Sequence, residues 1–376
     1  MPFMKINRKY KYSLLLAKEI SRKEIGYLSH MILVTGGTGF VGSHLLWELL
    51  WLQPKKIKAI YRSEAKIEAV RSLFNYKASQ YNTQESAETL FSYIEWVPCD
   101  VNDIPKLTEV FTGITKVCHC AAIISFDPGR YDELHKVNVE GTANMVNLSL
   151  ANDVQKFCMI SSIAALGETV DGSLITEETE WDPNKDNSVY SISKFASEME
   201  VWRGTQEGLT AVLVNPGVIM GEGFYKDGTG AFYRKIDGSL KYATPGSTGF
   251  VDVTDVAKAM HLLMKSDRVN ENFILVSENE KIENVFNTIA KVLGKTQKMK
   301  LVKPWQINIA WKIDWFLSLF GKRQKLFKSM AKSAVSETRY NGSKIKTIEG
   351  FEYTPLEETL TRTGEHFKRY YKNSKE

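Results

Sequence analysis

Residues 31–42 constrain the fold of this 376-residue chain more than any other stretch. Met31–Thr35 is a short apolar, β-branched run and reads as a buried strand. Glycines at 36, 39 and 42 follow at once. Gly36 permits a sharp turn after the strand. Gly39 lets backbone approach a phosphate with no Cβ between them, and Gly42 lets the next helix lie close on the sheet. An apolar-periodic helix over His44–Leu52, stopped near Pro54, takes up the chain. The turn therefore opens into a helix N-terminus with free N–H groups and a positive dipole end. Between a strand and a helix in a βαβ unit, this glycine pattern points to a dinucleotide pyrophosphate. Its expected contacts are Gly36, Thr38, Gly39, Phe40, Val41 and Gly42.

The alternation continues. Strands are expected at Ile57–Tyr61, Tyr93–Val97, Lys116–Cys120, Lys156–Ser161 and Thr210–Val214, with helices near Pro105–Phe111, Tyr131–Ala151 and Val189–Thr205. Strands and helices in this rhythm make a parallel sheet covered on both faces, an α/β doubly wound (Rossmann) fold. Beyond Pro216 the rhythm breaks. Short strands at Gly249–Val253 and Asn272–Val276 mix with helices at Val256–Met264 and Ile282–Leu293, read here as a smaller lobe over the carboxyl edge of the sheet. The expected division is a basic tail over 1–30, a dinucleotide-binding domain over 31–220, and a substrate lobe with C-terminal helices over 221–376, the lobes interwoven.

Charge narrows the function. The net charge is +5, and residues 1–30 carry seven Lys/Arg against two acids, which is the whole excess; residues 31–376 balance at 42 against 42. A nucleic-acid enzyme would carry its basic surface on the folded body, so no nucleic-acid partner is expected. Residues 1–30 read as a disordered tail, with a basic membrane-surface segment as the alternative. No run of 18 or more uncharged apolar residues occurs, so no spanning helix is expected. Cys99, Cys118, Cys120 and Cys158 lie in or beside expected strands without zinc-type spacing. They suit a reducing cytoplasm and no metal site.

Thr35-Gly36-Gly37-Thr38-Gly39-Phe40-Val41-Gly42 resembles the cofactor motif of the extended short-chain dehydrogenase/reductase family, and the similarity runs from about residue 31 to 365. The resemblance implies that Asp100, with Val101, meets the adenine, and that the small side chains of Ala121 and Ala122 leave room for the cofactor. It also implies that Pro216, Gly217 and Val218 lie beside the nicotinamide carboxamide. Asn138 matches a family motif on the central helix, where it either holds a helix bend or relays protons. Phe250–Val256 resembles a recurrent family segment in which Asp255 is a structural acid near a helix start. The second strand ends Tyr61-Arg62-Ser63 with no acid until Glu64. Arg62 can clamp a ribose 2′-phosphate and Lys66 can add charge, which favours NADP(H) over NAD(H).

Tyr190 and Lys194 stand at i and i+4 on an expected helix, so they share a face. A free tyrosine with a pKa near 10 is a poor acid or base at neutral pH. A neighbouring ammonium lowers it, and the tuned phenol can move a proton to or from a carbonyl oxygen. Lys194 is also expected to hydrogen-bond the nicotinamide ribose. By resemblance the catalytic hydroxyl lies five residues before a glycine, which selects Ser162, five before Gly167, over Ser161. Ser162 is followed by Ile163-Ala164 rather than an Asp-Glu pair, which argues against a 4,6-dehydratase. The leading expectation is an NADP(H)-dependent oxidoreductase acting on a small apolar carbonyl or alcohol. A sugar-nucleotide epimerase and a non-catalytic dinucleotide-binding scaffold are the alternatives. Ser125-Phe126-Asp127 and Phe224-Tyr225 are expected to line the cleft, and Arg234 and Lys235 to be solvated. Trp305–Phe320, followed by Lys322, Arg323 and Lys325, is expected to pack on the substrate lobe or in a homodimer, with an interfacial membrane helix as the alternative.

Overall fold

A computed structural model describes residues 31–372 apart from 53–54, 82, 170–171, 297 and 321–323. The tail over 1–30, Pro54, Lys322 and Arg323 lie outside the described residues.

Strand β1 (Met31–Thr35) enters the glycine turn and leaves it as helix α1 (Phe40–Leu52). The helix starts four residues before the expected His44, because Gly42 inside its first turn allows the helix to begin against the turn itself. Then follow β2 (Ile57–Tyr61), α2 (Ile67–Gln80), α3 (Ala87–Ser92), β3 (Ile94–Pro98), α4 (Ile104–Val110) and β4 (Ile114–His119). The next helix is interrupted: α5 (Tyr131–Leu134) passes through a π turn, His135–Glu140, into α6 (Gly141–Ala151). After β5 (Lys156–Ile160) come helix α7 (Val189–Gln206), β6 (Ala211–Pro216) and β7 (Val218–Met220). The rest comprises α8 (Ala231–Asp237), β8 (Tyr242–Ala243), β9 (Ser247–Asp252), α9 (Val253–Lys265), β10 (Glu271–Leu275), β11 (Glu278–Lys281), α10 (Ile282–Val292), β12 (Lys300–Leu301), α11 (Pro304–Ser318), α12 (Lys328–Ser333) and α13 (Leu356–His366).

Seven parallel strands form the main sheet in the order β3-β2-β1-β4-β5-β6-β10. The order reverses between β1 and β4, and a doubly wound sheet opens its ligand crevice at that switch point. Two apolar clusters sandwich the sheet. One contains Leu46, Trp47, Phe74 and Met260; the other contains Leu107, Phe111, Phe157 and Leu213. A third, with Tyr233, Phe250, Ile289 and Leu360, is the core of the smaller lobe.

Three expectations need correction. The strand placed at Asn272–Val276 in the smaller lobe is β10, the seventh strand of the main sheet, paired in parallel with β6. Helix α9 likewise packs on that sheet beside α1, with Val256, Met260 and Leu263 in its core. Periodicity identified both elements but carries no information about which sheet they join. Helix α11, expected to pack on the substrate lobe or in a homodimer, does not sink into the lobe: Ile307 is its one buried residue within the single chain.

The lobes are locked by buried charge. Glu222, after β7, accepts hydrogen bonds from Lys77 of α2 at 2.9 Å and from Arg362 of α13 at 3.3 Å. Arg362 also pairs with Asp252, and Lys77 donates to Thr254 at 3.0 Å. Burial alone would raise the Glu222 carboxyl, but the charges of Lys77 and Arg362 outweigh it and hold the group well below its ordinary value. A depressed carboxylate contributes stability that is complete above its ordinary pKa of 4.5 and is lost as the pH falls below that point. Glu222→Gln leaves a buried lysine and a half-buried arginine short of their shared counter-charge. A loss of about 3–5 kcal/mol is expected in urea denaturation at neutral pH, shrinking in mild acid; a change under about 1 kcal/mol would show that the cluster does not hold the lobes.

Candidate active site

The glycine turn is built for close backbone contact. Gly36 has φ +66°, and a Cβ there would lie 2.7 Å from the Cys120 carbonyl. A Cβ on Gly42 would lie 2.2 Å from the Gly36 carbonyl oxygen. The Gly39 N–H donates to that same oxygen at 2.9 Å. Thr38, Phe40 and Val41 surround the start of α1 at the carboxyl end of β1.

One hydrogen-bond chain pins the switch point. Thr35 Oγ1 accepts from the N–H groups of Cys120 and Ala121, both at 3.1 Å, and bonds His119 Nδ1 at 2.8 Å. Thr142 bonds His119 Nε2 at 3.0 Å and gives its own proton to the Asn138 carbonyl at 2.6 Å. Burial, aided by the Lys194 charge, lowers the His119 pKa to about 3, so the ring is neutral. A neutral ring has one N–H. Thr142 has already spent its proton, so Nε2 carries the ring hydrogen and Nδ1 accepts from Thr35.

Arg62 and Asp100 stand at the ends of β2 and β3, 3.9 Å apart, both substantially exposed. Asp100 also accepts from Asn102 N–H at 2.9 Å. Lys66 is exposed at the end of a short turn, Glu64–Lys66. Val101 is buried, and its carbonyl accepts from Asn144 at 3.1 Å. Ala121 and Ala122 are half-buried beyond β4. Asn138 lies in the π turn, where it accepts from Ile123 N–H at 2.8 Å and donates to the Ile123 carbonyl and to Ser193 Oγ, both at 3.0 Å. It therefore stitches the loop after β4 to the helix bend. Pro216 and Gly217 link β6 to β7, and a Cβ on Gly217 would lie 2.4 Å from the Gly249 carbonyl. Val218 pairs with Phe250.

Ser162, Tyr190 and Lys194 converge at the same edge. Ser188 caps α7 by accepting from Ser191 N–H at 3.0 Å, which puts Tyr190 and Lys194 in its first turns. Ser162 accepts from Ala164 N–H at 3.1 Å, and its hydroxyl lies beside the Tyr190 phenol. Burial raises the Tyr190 phenol to about 12, the Ser162 hydroxyl opposing. Lys194 donates to the Ile160 carbonyl at 3.0 Å. Its ammonium is pulled down to about 8 by burial, against the charge of Glu198.

Glu198 was missed by the sequence reading, although it follows Lys194 by one helical turn. It is buried, 4% exposed, and accepts from Asn215 Nδ2 at 2.6 Å, while the same amide donates to the Ser162 carbonyl at 3.0 Å. Burial raises it to about 7; Ser161 beside it, Asn215 and the Lys194 charge oppose.

Around the cleft, the Phe126 ring lies 5.7 Å from that of Tyr190. Tyr225, expected in the cleft, belongs instead to the core of the smaller lobe, where its hydroxyl donates to the Thr363 carbonyl at 3.0 Å. Phe224 packs on Phe40 with ring centres 5.5 Å apart. Arg234 donates to the Lys226 carbonyl at 2.9 Å on the surface. Asp255 holds Thr354 through two hydrogen bonds, of 2.7 and 2.9 Å, and Asp252 caps α9.

This edge fits a dinucleotide. The turn offers a Cβ-free cradle at a helix N-terminus, and a cation and an acid flank it. A phenol, a hydroxyl and an ammonium meet at its far side.

Comparison with known proteins agrees. A family model described as the NAD dependent epimerase/dehydratase family matches residues 32–275. A putative dihydroflavonol 4-reductase from Synechocystis sp. is 25% identical over 347 residues, covering 90% of this chain and 94% of that protein. Sterol demethylase protein B from Methylococcus capsulatus is 24% identical over 274 residues, covering 72% and 77%. The crystal structure of gox2253 shares the fold at a TM-score of 0.75 and 22% identity, covering 91% of this chain and 99% of that one.

Proposed function

From the premise that this chain belongs to the NAD dependent epimerase/dehydratase family and is an oxidoreductase, we propose that it reduces an apolar carbonyl compound with NADP(H). The observation that carries this reading is the meeting of Tyr190, Ser162 and Lys194 at the edge that holds the glycine turn. A bound reduced nicotinamide supplies the hydride. Tyr190, protonated at neutral pH, gives its proton to the substrate oxygen as the carbonyl carbon is reduced. Ser162 holds that oxygen by a hydrogen bond. Lys194 stabilises the phenolate that remains, and its ammonium is the group proposed to reach the ribose. Glu198 is a positioning residue: its carboxylate keeps Lys194 charged although buried. Asn138 holds the loop and helix bend behind Tyr190.

The cofactor contacts proposed are Gly36, Thr38, Gly39, Phe40, Val41 and Gly42 for the pyrophosphate, with Asp100, Val101, Ala121 and Ala122 around the adenine side and Pro216, Gly217 and Val218 near the carboxamide. Arg62, with Lys66, is assigned to the 2′-phosphate, where it must leave its exposed partner Asp100. An apolar substrate suits the cleft because Arg234 and Lys235 lie on the outer surface, and because relatives carry the names dihydroflavonol 4-reductase and sterol demethylase protein B. Four free cysteines suit the reducing cytoplasm. The family name also keeps sugar-nucleotide epimerisation in view; dinucleotide retained through gel filtration would favour it.

The experiment is NADPH oxidation with a panel of apolar ketones and aldehydes, repeated with NADH. Tyr190→Phe is expected to lower kcat by about 10²–10⁴-fold with NADPH affinity nearly unchanged. The wild type favours NADPH, and Arg62→Asp reverses the preference by roughly 10-fold or more. Turnover surviving in Tyr190→Phe would refute the mechanism, and a wild-type preference for NADH would refute the cofactor assignment.

A pH profile tests Glu198. The rate of reduction is expected to fall as the pH rises through about 8, where Lys194 loses its proton. Glu198→Gln removes the opposing negative charge, so this limb moves to lower pH, and Glu198→Asp restores part of it. An unmoved limb would leave Glu198 with a packing role alone.

A further inference from the structure

Helix α11 is inside out. Ile307 is buried, and Trp311, Asp314 and Ser318, four, seven and eleven residues on, share its half-buried face toward the protein. The outward face is the apolar one. Trp305 is 58% exposed, Ile309 48%, Ile313 53%, Phe316 54% and, just past the helix, Phe320 75%. A contiguous apolar surface left in water marks an interaction site.

The charge around it selects the partner. Residues 298–332 hold nine Lys/Arg and one acid, a net +8, although residues 31–376 balance overall. The single acid, Asp314, is turned inward and accepts from the N–H groups of Lys325 and Leu326, at 2.6 and 2.8 Å. Among the described residues, Lys300, Lys303, Lys312 and Lys325 are exposed and make no ion pair. An apolar face ringed by lysines, with tryptophan at its border, matches the anionic surface of a bilayer, where lysine stems extend along the apolar zone and their ammoniums meet phosphates. A second copy of the same face would bring two cationic rims together. No described helix is long and apolar enough to cross a membrane, so the helix would lie in the interface plane.

We infer that α11 seats the protein on an anionic lipid surface through its outward Trp305–Ile309–Ile313–Phe316 face and its lysine rim. The next helix, α12, is tied to the loop before the catalytic helix: Lys328 pairs with Asp186 at 2.8 Å and Lys332 with Glu168 at 3.9 Å. Asp186 lies four residues before Tyr190, so the helix that follows the seated one adjoins the segment that leads to the site. The inference does not depend on the hydride-transfer reading.

Flotation of the full chain with phosphatidylcholine vesicles, with and without about one third phosphatidylglycerol, tests it. The wild type is expected to float with the anionic vesicles at low salt and far less with neutral ones. Ile309→Glu with Phe316→Glu is expected to cut recovery about tenfold, with NADPH binding and melting temperature unchanged. Lys303→Glu with Lys312→Glu, both exposed, is expected to remove the preference for anionic vesicles if the first variant folds poorly. Three results would overturn the inference: no flotation of the wild type; equal flotation of every variant, which would place the contact elsewhere, as in residues 1–30; or a dimer in sedimentation that the apolar variant dissolves, which would make this face a copy-to-copy interface.

Discussion

The contact between Gly42 and the Gly36 carbonyl admits no Cβ, and the geometry of the whole carboxyl edge follows from it. It lets α1 begin against the end of β1, so the helix N-terminus faces the crevice at the β1/β4 switch point. From there the Thr35–His119–Thr142–Asn138 chain ties β1, β4 and the π turn together. Asn138 bonds Ser193, and Ser197 donates to the Asn138 carbonyl that Thr142 also meets, so α7 is registered against the same frame. Tyr190 and Lys194 are carried on that helix.

Two buried charge groups divide the labour. Lys77, Glu222, Arg362 and Asp252 sit where the smaller lobe meets the sheet, and their mutual bonds answer the cost of burying them. Lys194 and Glu198 are buried less comfortably: the ammonium is pulled down to about 8 and the carboxyl pushed up to about 7. A pair whose proton affinities burial draws toward neutral pH responds to charge created beside it.

Much of this was legible beforehand. Strands β1 and β2 fall where hydrophobic runs predict them, because a buried parallel strand bounded by polar residues leaves a clear local signal. The glycine turn and the Tyr190–Lys194 spacing were equally local. What escaped was non-local. The run at 272–276 announces a strand, but its place beside β6 depends on the path of α9. The π turn at 135–140 hides in an unbroken helical pattern. Apolar composition in α11 argued for burial, whereas its outward face is a fact of tertiary position. Glu198 stood at a readable i+4 spacing from Lys194, but its hydrogen bond to Asn215 on β6 joins residues 17 apart and is visible only in the fold.

The central claim is that the Tyr190 edge passes hydride to a substrate carbonyl carbon with net consumption of the dinucleotide. The most direct test is deuterium transfer from 4,4-dideuterated NADPH, followed by mass spectrometry of the alcohol formed from apolar ketones, with UDP-sugars run in parallel. The account predicts one deuterium on the carbinol carbon and stoichiometric loss of NADPH. Epimerised sugar nucleotide without net cofactor turnover, and no label in any alcohol, would contradict it.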